Sequence, residues 1–389
     1  MKSPRPNRSR ASVQARPRNG RAARKPPASP DSVSIKEIAR LTGVSIGTVD
    51  RVVHDRGRVS TSTEAKVRRV IEETGYRPNM FASRLSRAQV FRFGVLMPYP
   101  DQDNGFWQLP LYGIKKAAAE LHTHRIQVSY HFFDKFHPSP RAVRELRRQI
   151  REEALDGLLV APVAPHWIKD FLLRLPDSCP YVLFDSALPD TKPLSSIIQN
   201  SFQSGVLAAR LADLLVGGKG RAGLIQIVPG DFHLLERARG FRAYFEGRSG
   251  MPCAECVIQG DRLGVSFKRA LDGLLGSCPD LKSVFVTNAL TYKAAEFLKS
   301  RRPNDRIHVI GYDLIPDNIR YIKEGWIDFL INQRPKAQGY LGIYALYRRL
   351  VLGEQVEACV MMPIDIITKE NLSYYEGVYE EQEKRVLAL

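Results

Sequence analysis

Apolar positions recur at two different spacings along this chain. Between residues 34 and 76 they fall every three or four residues: Ile35, Ile38 and Ala39, then Val49, Val52 and Val53, then Val67, Val70 and Ile71. That period puts each set on one face of a helix. The residues between the sets agree. Ser34 with Glu37 has capping-box spacing, Gly43 suits the left-handed residue that ends a helix, and Ser45 is placed to cap a second one. Thr61 with Glu64 repeats the capping-box spacing and opens a third helix that stops at Gly75. The pattern predicts a three-helix unit whose first two helices meet across a tight turn.

After Pro78 a short stretch, 79–87, precedes a change of rhythm. From Arg92 onward, apolar runs alternate with amphipathic stretches. The runs are Phe93–Met97, Ile126–Phe132, Gly157–Val160, Tyr181–Phe184, Ala222–Val228, Ser283–Val286, His308–Ile310 and Phe329–Ile331. Helical patterns lie between them at Leu111–Leu121, Arg141–Glu153, Ser204–Val216, Arg237–Phe245, Tyr292–Leu298 and Ala337–Val351. Alternation of this kind builds doubly wound parallel sheets, so the fold class is α/β, and this many strands predict two sheets rather than one. No repeat with a period of 20–50 residues is visible.

Composition sets limits rather than chemistry. The 389 residues, 44% of them hydrophobic, are ample for two or three domains with cores of their own. The formal charge of +17 points to a polyanionic partner, and its placement sharpens the idea. Residues 1–30 carry nine Lys/Arg and no Asp/Glu, residues 31–89 carry eleven basic and seven acidic side chains, and the other 300 keep only +4. The first 30 also hold six prolines and no apolar periodicity, too little to offset the entropy of ordering. They read either as a presequence or as a disordered arm that adds nonspecific phosphate contacts. No run reaches the ~18 apolar residues that span a bilayer, and the N-terminus lacks the apolar middle of a secretory signal. A cytoplasmic protein without membrane contact is expected. Five cysteines, with one Cys253-x-x-Cys256 and no second pair beside it, make neither a disulfide framework nor a zinc site. No metal and no cofactor are expected.

A helix-turn-helix lays its second helix in the major groove, where residues facing away from the Val49, Val52 and Val53 core meet base edges. Here those are Ile46, Gly47, Asp50 and Arg51. Arg51 suits a bidentate pair with guanine, Ile46 suits a thymine methyl, and Gly47 brings no side chain. Ser34, Ser45 and Thr48 stand at helix N-termini, where hydroxyls and free N–H groups suit phosphate oxygens. A small helical bundle that never touches DNA would show the same apolar spacing.

Three sequence blocks narrow that choice. IKEIARLTGVSIGTVDRVV at 35–53, Val59-Ser60, and YRPNMFASRL at 76–85 occur in an order and spacing that resembles the lactose-repressor (LacI/GalR) family. The resemblance is close over 34–85 and continues by pattern to about Tyr375. It implies that 79–87 is a hinge helix, with Asn79, Ala82 and Leu85 as DNA-binding positions and Leu85 wedged into the minor groove. So short a helix falls below the ~12–15 residues needed for marginal stability, so DNA and a second subunit would have to support it. Leu85 between base pairs would kink the duplex at a cost of roughly a few kcal/mol. The partners implied are a near-palindromic operator in double-stranded DNA and a second copy of the chain, as a homodimer. Asp50 departs from the family's usual Ser; it either accepts from cytosine N4 or needs a neutralising cation such as Arg51.

In open parallel sheets, ligands bind beyond the carboxyl ends of the strands. Four of the apolar runs end on Asp185, Asn288, Asp313 and Gln333. Each alone could simply cap the next helix, whereas four together predict a cleft. The resemblance carries these positions onto a two-lobed periplasmic-binding-protein-like domain, in which they hydrogen-bond a ligand's hydroxyls. It adds Arg237 as a ligand-contacting arginine, and Phe106 and Trp107 as aromatics against the apolar face of a sugar. The family's Asn-Asp pair reads Asn288-Ala289 here, so one acid is missing. Asp185 and Asp313 as acceptors, with Arg237 and Gln333 as donors, suit a polyol; Arg237 also suits a sugar acid, and both remain open.

The organisation expected is a basic extension (1–31), a helix-turn-helix domain (32–77), a hinge helix or linker (78–90), an effector-binding domain (91–376) and a tail (377–389). Its first lobe would take about 91–198 and 334–360, and its second about 199–333 and 361–376. The function expected is a transcription regulator, a repressor of carbohydrate-related genes that answers to a small sugar or sugar acid. A DNA-binding dimer whose larger domain has lost its ligand is the alternative that Ala289 keeps open. A solute-binding protein would need a signal peptide and would lack 34–85. An enzyme is not expected: residues 43–47 spell the G-x-S-x-G of a nucleophile elbow, but that motif needs a strand before its serine and a helix pattern precedes this one.

Overall fold

The computed structural model describes residues 35–53, 57, 59–74, 90–137, 139–163, 165–228, 231–246, 253–259, 263–301 and 305–375. They fall into two units, one within 1–79 and the other within 80–389. In the first, α1 (Ile35–Thr42), α2 (Ile46–Val53) and α3 (Thr61–Thr74) pack around Ile38, Ala39, Val49, Val52 and Val67. One apolar stripe per helix is enough to close so small a core. Gly43 takes φ +65° at the turn, where a Cβ would be strained. The Ser45 hydroxyl caps α2, accepting from the Thr48 N–H at 3.1 Å.

The start of α3 differs from the expectation. Ser60 rather than Thr61 supplies the capping oxygen, accepting from the Thr63 N–H at 3.4 Å, while the Glu64 carboxylate reaches forward to Arg68 at 2.7 Å. Hydroxyls stand at both positions, so the backbone decides: Thr61 is already inside the helix, and the residue before it is the one free to cap.

The second unit holds, among the described residues, two six-stranded sheets. The first contains β1 (Phe91–Pro98), β2 (Ile126–Phe133), β3 (Gly157–Val160), β4 (Tyr181–Phe184), β5 (Ser195–Gln199) and β11 (Cys359–Met362), in the order β11-β5-β4-β3-β1-β2. The second contains β6 (Arg221–Val228), β7 (Cys253–Gln259), β8 (Leu281–Val286), β9 (His308–Tyr312), β10 (Phe329–Asn332) and β12 (Asp365–Ile367), in the order β12-β10-β9-β8-β6-β7. All the strand pairs are parallel except β10 with β12. Each sheet with its helices is a lobe, and the chain passes between lobes after β5, after β10 and between β11 and β12. Gln199 ties the three passages together, its Nε2 donating to the carbonyls of Asn332 at 3.2 Å and Pro363 at 2.9 Å.

The central strands are buried on both faces, which is why they read as unbroken apolar runs; β3 and β4 are buried at every position. The sequence pattern does not reveal β5, β7, β11 or β12. Of these, β7, β11 and β12 lie at sheet edges, and β5, with two serines among its five residues, pairs with the edge strand β11. The helix Leu263–Ser277 was equally hidden: Gly273 and Gly276, both on its exposed face, lower its helical propensity.

Two helices of the second lobe, Ser201–Val216 and Phe232–Phe245, cross through a glycine contact on each side. A Cβ on Gly205 would fall 2.0 Å from the Arg237 carbonyl oxygen, and one on Gly240 would fall 2.0 Å from that of Phe202. This crossing fixes the helix that carries Arg237. Among the described residues, no helix is long and apolar enough to cross a membrane.

Candidate functional site

The face of α2 turned away from its core exposes Ser45, Ile46, Gly47 and Arg51, with Thr48 and Asp50 half-buried. Ile46 presents an apolar side chain to solvent at 47% exposure. A Cβ on Gly47 would meet nothing nearer than Ser45 Oγ at 3.8 Å, so the backbone there is open to close approach. The hydroxyls of Ser45 and Thr48 lie 2.9 Å apart at the helix N-terminus, where the peptide dipoles favour an anion. Ser34, Asn79, Ala82 and Leu85 lie outside the described residues, as do 1–31, 78–89 and 377–389. The letters of a nucleophile elbow have no matching geometry: α1 precedes Ser45, and its hydroxyl caps a helix.

In the second unit, Phe106, Trp107, Asp185, Arg237, Asn288, Asp313 and Gln333 line one cavity between the lobes. Topology brings them there. Phe106 and Trp107 follow β1, Asp185 follows β4, Asn288 follows β8, Asp313 follows β9 and Gln333 follows β10, so every one lies beyond the carboxyl end of a strand. Arg237 joins them from the helix after β6. Asp185 and Asp313 hold φ +70° and +68°, a conformation that costs a residue with a side chain roughly 1–3 kcal/mol and persists where surrounding contacts enforce it.

On the second lobe, Arg237 is 1% exposed and its terminal nitrogens are engaged. Nη1 donates to the Thr287 carbonyl at 2.9 Å and Nη2 to Gln333 Oε1 at 3.0 Å, while the guanidinium stacks 3.7 Å from the Tyr312 ring centroid. Gln333 passes the contact on, its Nε2 donating to the Asp313 carboxylate at 3.1 and 3.2 Å. On the first lobe, Lys135 Nζ lies 2.8 Å from Asp103 Oδ2 and reaches across to Asp231 Oδ2 at 3.6 Å. The Trp107 indole N–H donates to the same Asp103 oxygen at 2.8 Å. Also across the lobes, His233 Nε2 lies 3.9 Å from Asp185 Oδ2.

Burial dominates the electrostatics of this cavity. It pushes the Asp185 and Asp313 carboxyls up to about 7, in both cases against the pull of Arg237. It also drives His233 well below the usual histidine value, helped by the positive charges of Arg237 and Lys135. Burial opposes the Lys135 ammonium as well, but Asp103 and Asp231 outweigh it and hold the lysine above its usual value. Asp185 Oδ1, His233 Nδ1, Arg237 Nε and Thr287 Oγ1 are buried with no hydrogen-bond partner. Buried polar atoms are rarely left so, and three of these four belong to residues that line the cavity, where polar groups of another molecule could pair with them. The cavity is about 20 Å³, close to the size of a single water.

Asp103, Lys135 and His233 escaped the sequence reading. Lys135 follows β2 just as Asp185 follows β4, so the same strand-end argument applied to Ile126–Phe133 would have found it. His233 was missed because the helix carrying it begins at Phe232, five residues before the expected start at Arg237. Asn288 turns the chain ahead of the following helix, its Oδ1 accepting from the Leu290 N–H at 3.0 Å, and it also lines the cavity. The acid missing at Ala289 has no substitute there: that residue is buried, and its carbonyl accepts from Asn318.

Comparison with known proteins bears on both units. Residues 34–79 match the bacterial regulatory proteins of the lacI family, and residues 93–355 match the periplasmic binding protein domain. Catabolite control protein B of Bacillus subtilis (strain 168) is 33% identical over 136 residues, which make up 34% of this chain and 40% of that protein. The xylose/arabinose-binding protein XylF of Sulfolobus acidocaldarius is 25% identical over 226 residues, 54% of this chain and 55% of its own. The alignments thus span about half or less of these two curated relatives. The crystal structure of a putative LacI transcriptional regulator from Bacteroides fragilis superposes with a TM-score of 0.68 at 31% identity, covering 74% of this chain and 100% of that one.

Proposed function

This chain belongs to the lacI family of bacterial regulatory proteins and carries a periplasmic binding protein domain, and from that premise we propose that it represses carbohydrate-related genes under the control of a small sugar-like effector. The observation that carries the reading is the convergence of strand ends from both lobes on a cavity with unpaired buried polar atoms. In this reading, α2 presents Ile46, Gly47, Asp50 and Arg51 to base edges, with Ser45 and Thr48 on phosphate. Residues 78–90 act as the hinge between reader and sensor. Two copies bind a near-palindromic operator as a homodimer, in the cytoplasm. The cavity has room for a water but not for a sugar ring, so the lobes must part to admit the effector, and Gln199 at the crossings is the pivot. None of these roles calls for catalysis, and the chain acts by binding alone.

The same small cavity favours a second reading, in which the lobes keep one closed arrangement and the chain is a DNA-binding dimer without a ligand. One experiment addresses both. Duplexes bound by the full chain are selected from random DNA at moderate ionic strength, and their occupancy is then followed through a panel of sugars. A preferred duplex whose occupancy moves with a sugar supports the first reading, and a preferred duplex indifferent to the whole panel supports the second. No preference over genomic competitor overturns both.

A further inference from the structure

The sequence leaves open whether the effector is a neutral polyol or a sugar acid, and the charges around the cavity bear on this. Four carboxyl groups, from Asp103, Asp185, Asp231 and Asp313, surround two cations, Lys135 and Arg237. Each cation already has partners within the protein. Arg237 spends its terminal nitrogens on Thr287 and Gln333 and its face on Tyr312. Lys135 is held between one carboxylate from each lobe. The surroundings of Lys135 Nζ also suit an ammonium in general: besides two carboxylates, the Phe136 and Trp107 rings lie 5.1 and 5.9 Å away. The two lobes therefore build a cation site, and the chain fills it with its own side chain.

We infer that Lys135 is a specificity-determining residue: its ammonium occupies a cation site formed by Asp103 and Asp231 across the lobes, so that the cleft takes uncharged polyhydroxy ligands and turns away both sugar acids and amino sugars. This rests on the effector-binding reading of the cleft. A carboxylate entering it meets the Asp185 and Asp313 carboxyls, with Lys135 held by two carboxylates and the terminal nitrogens of Arg237 bonded to Thr287 and Gln333, and burying that further negative charge is unfavourable. An amino sugar finds the Asp103 and Asp231 carboxylates already taken by Lys135. A hydroxyl, by contrast, can donate to Asp185 Oδ1, which is buried without a partner.

The test uses matched triplets: glucose, glucosamine and glucuronate, then galactose, galactosamine and galacturonate, titrated calorimetrically into the full chain. The wild type is expected to bind a neutral member at least about tenfold more tightly than its amino or acid counterpart. In Lys135→Met, which keeps the apolar stem, the amino-to-neutral preference is expected to shift by about tenfold or more toward the amine. A purely structural lysine would change overall stability without moving that ratio. A second arm needs no effector: methylammonium chloride should raise the melting temperature of Lys135→Ala, relative to equal sodium chloride, and leave the wild type unmoved. Equal or tighter binding of an acid by the wild type, an unchanged ratio in Lys135→Met, or an equal methylammonium effect on both proteins overturns the inference. If no sugar of any charge binds, the effector reading fails, and the methylammonium arm alone decides whether Lys135 fills a cation site.

Discussion

The two functional regions of this chain solve opposite problems. The α2 reader carries its chemistry on one helix of eight residues, Ile46–Val53, with Arg51 and Ile46 in solvent. The cleft assembles its chemistry from strand ends more than 200 residues apart and hides nearly all of it from water. In the reader, polar groups are solvated until DNA arrives, so each contributes little to folding. In the cleft, every charged group is desolvated and must be balanced by the protein itself, which ties ligand chemistry to stability.

That contrast predicts very unequal costs of mutation. The largest is expected in the cleft: Arg237→Ala strips the counter-charge from Asp313 and Asp185 and should cost about 3–5 kcal/mol in denaturant unfolding of the second unit, together with effector response. If the loss is below about 1 kcal/mol, as for an exposed pair, the cleft is not the electrostatic unit described here. Next comes pH. Asp185 and Asp313 titrate near 7 in the folded chain against 3.8 as ordinary aspartates, so the folded state binds more protons between those values. Their contribution to stability should therefore fall as pH rises from 4 through 7, and Asp185→Asn should remove its share of that fall from the urea-unfolding profile over that window. A slope unchanged in the variant would remove Asp185 as its source.

A smaller effect is expected at the crossing that positions Arg237. Gly240→Ala drives a methyl into the Phe202 carbonyl and should destabilise by about 1–3 kcal/mol while shifting effector affinity; a neutral result would mean the helices separate without consequence. The smallest lies in the reader, where Ser45→Ala removes the α2 cap at a cost of about 1 kcal/mol. Its melting should change with the cleft untouched, and altered sugar binding in this variant would contradict the separation of roles.

The same contrast explains what could be read from the sequence. The reader's helices, turn glycine and cap are local signals, and among the described residues the cap of α3 lies at Ser60 rather than Thr61. The apolar runs gave the central strands, and their polar ends gave Asp185, Asn288, Asp313 and Gln333, because burial on both faces erases the alternation that obscures edge strands such as β7 and β12. Lys135 lay within reach of the strand-end argument, but what Lys135, Asp103 and His233 do was not legible. Their meaning depends on which lobe faces which, and no local spacing says that Lys135 of one lobe meets Asp231 of the other.

A regulator of this kind couples its reader energetically to its cleft, and linkage offers the most direct test of that coupling. The affinity of the full chain for a selected duplex would be measured with and without a saturating neutral sugar, and the affinity for the sugar with and without saturating duplex. The two ratios are expected to agree and to lie in the range of about 5–150-fold. Two affinities that do not respond to each other would contradict the account.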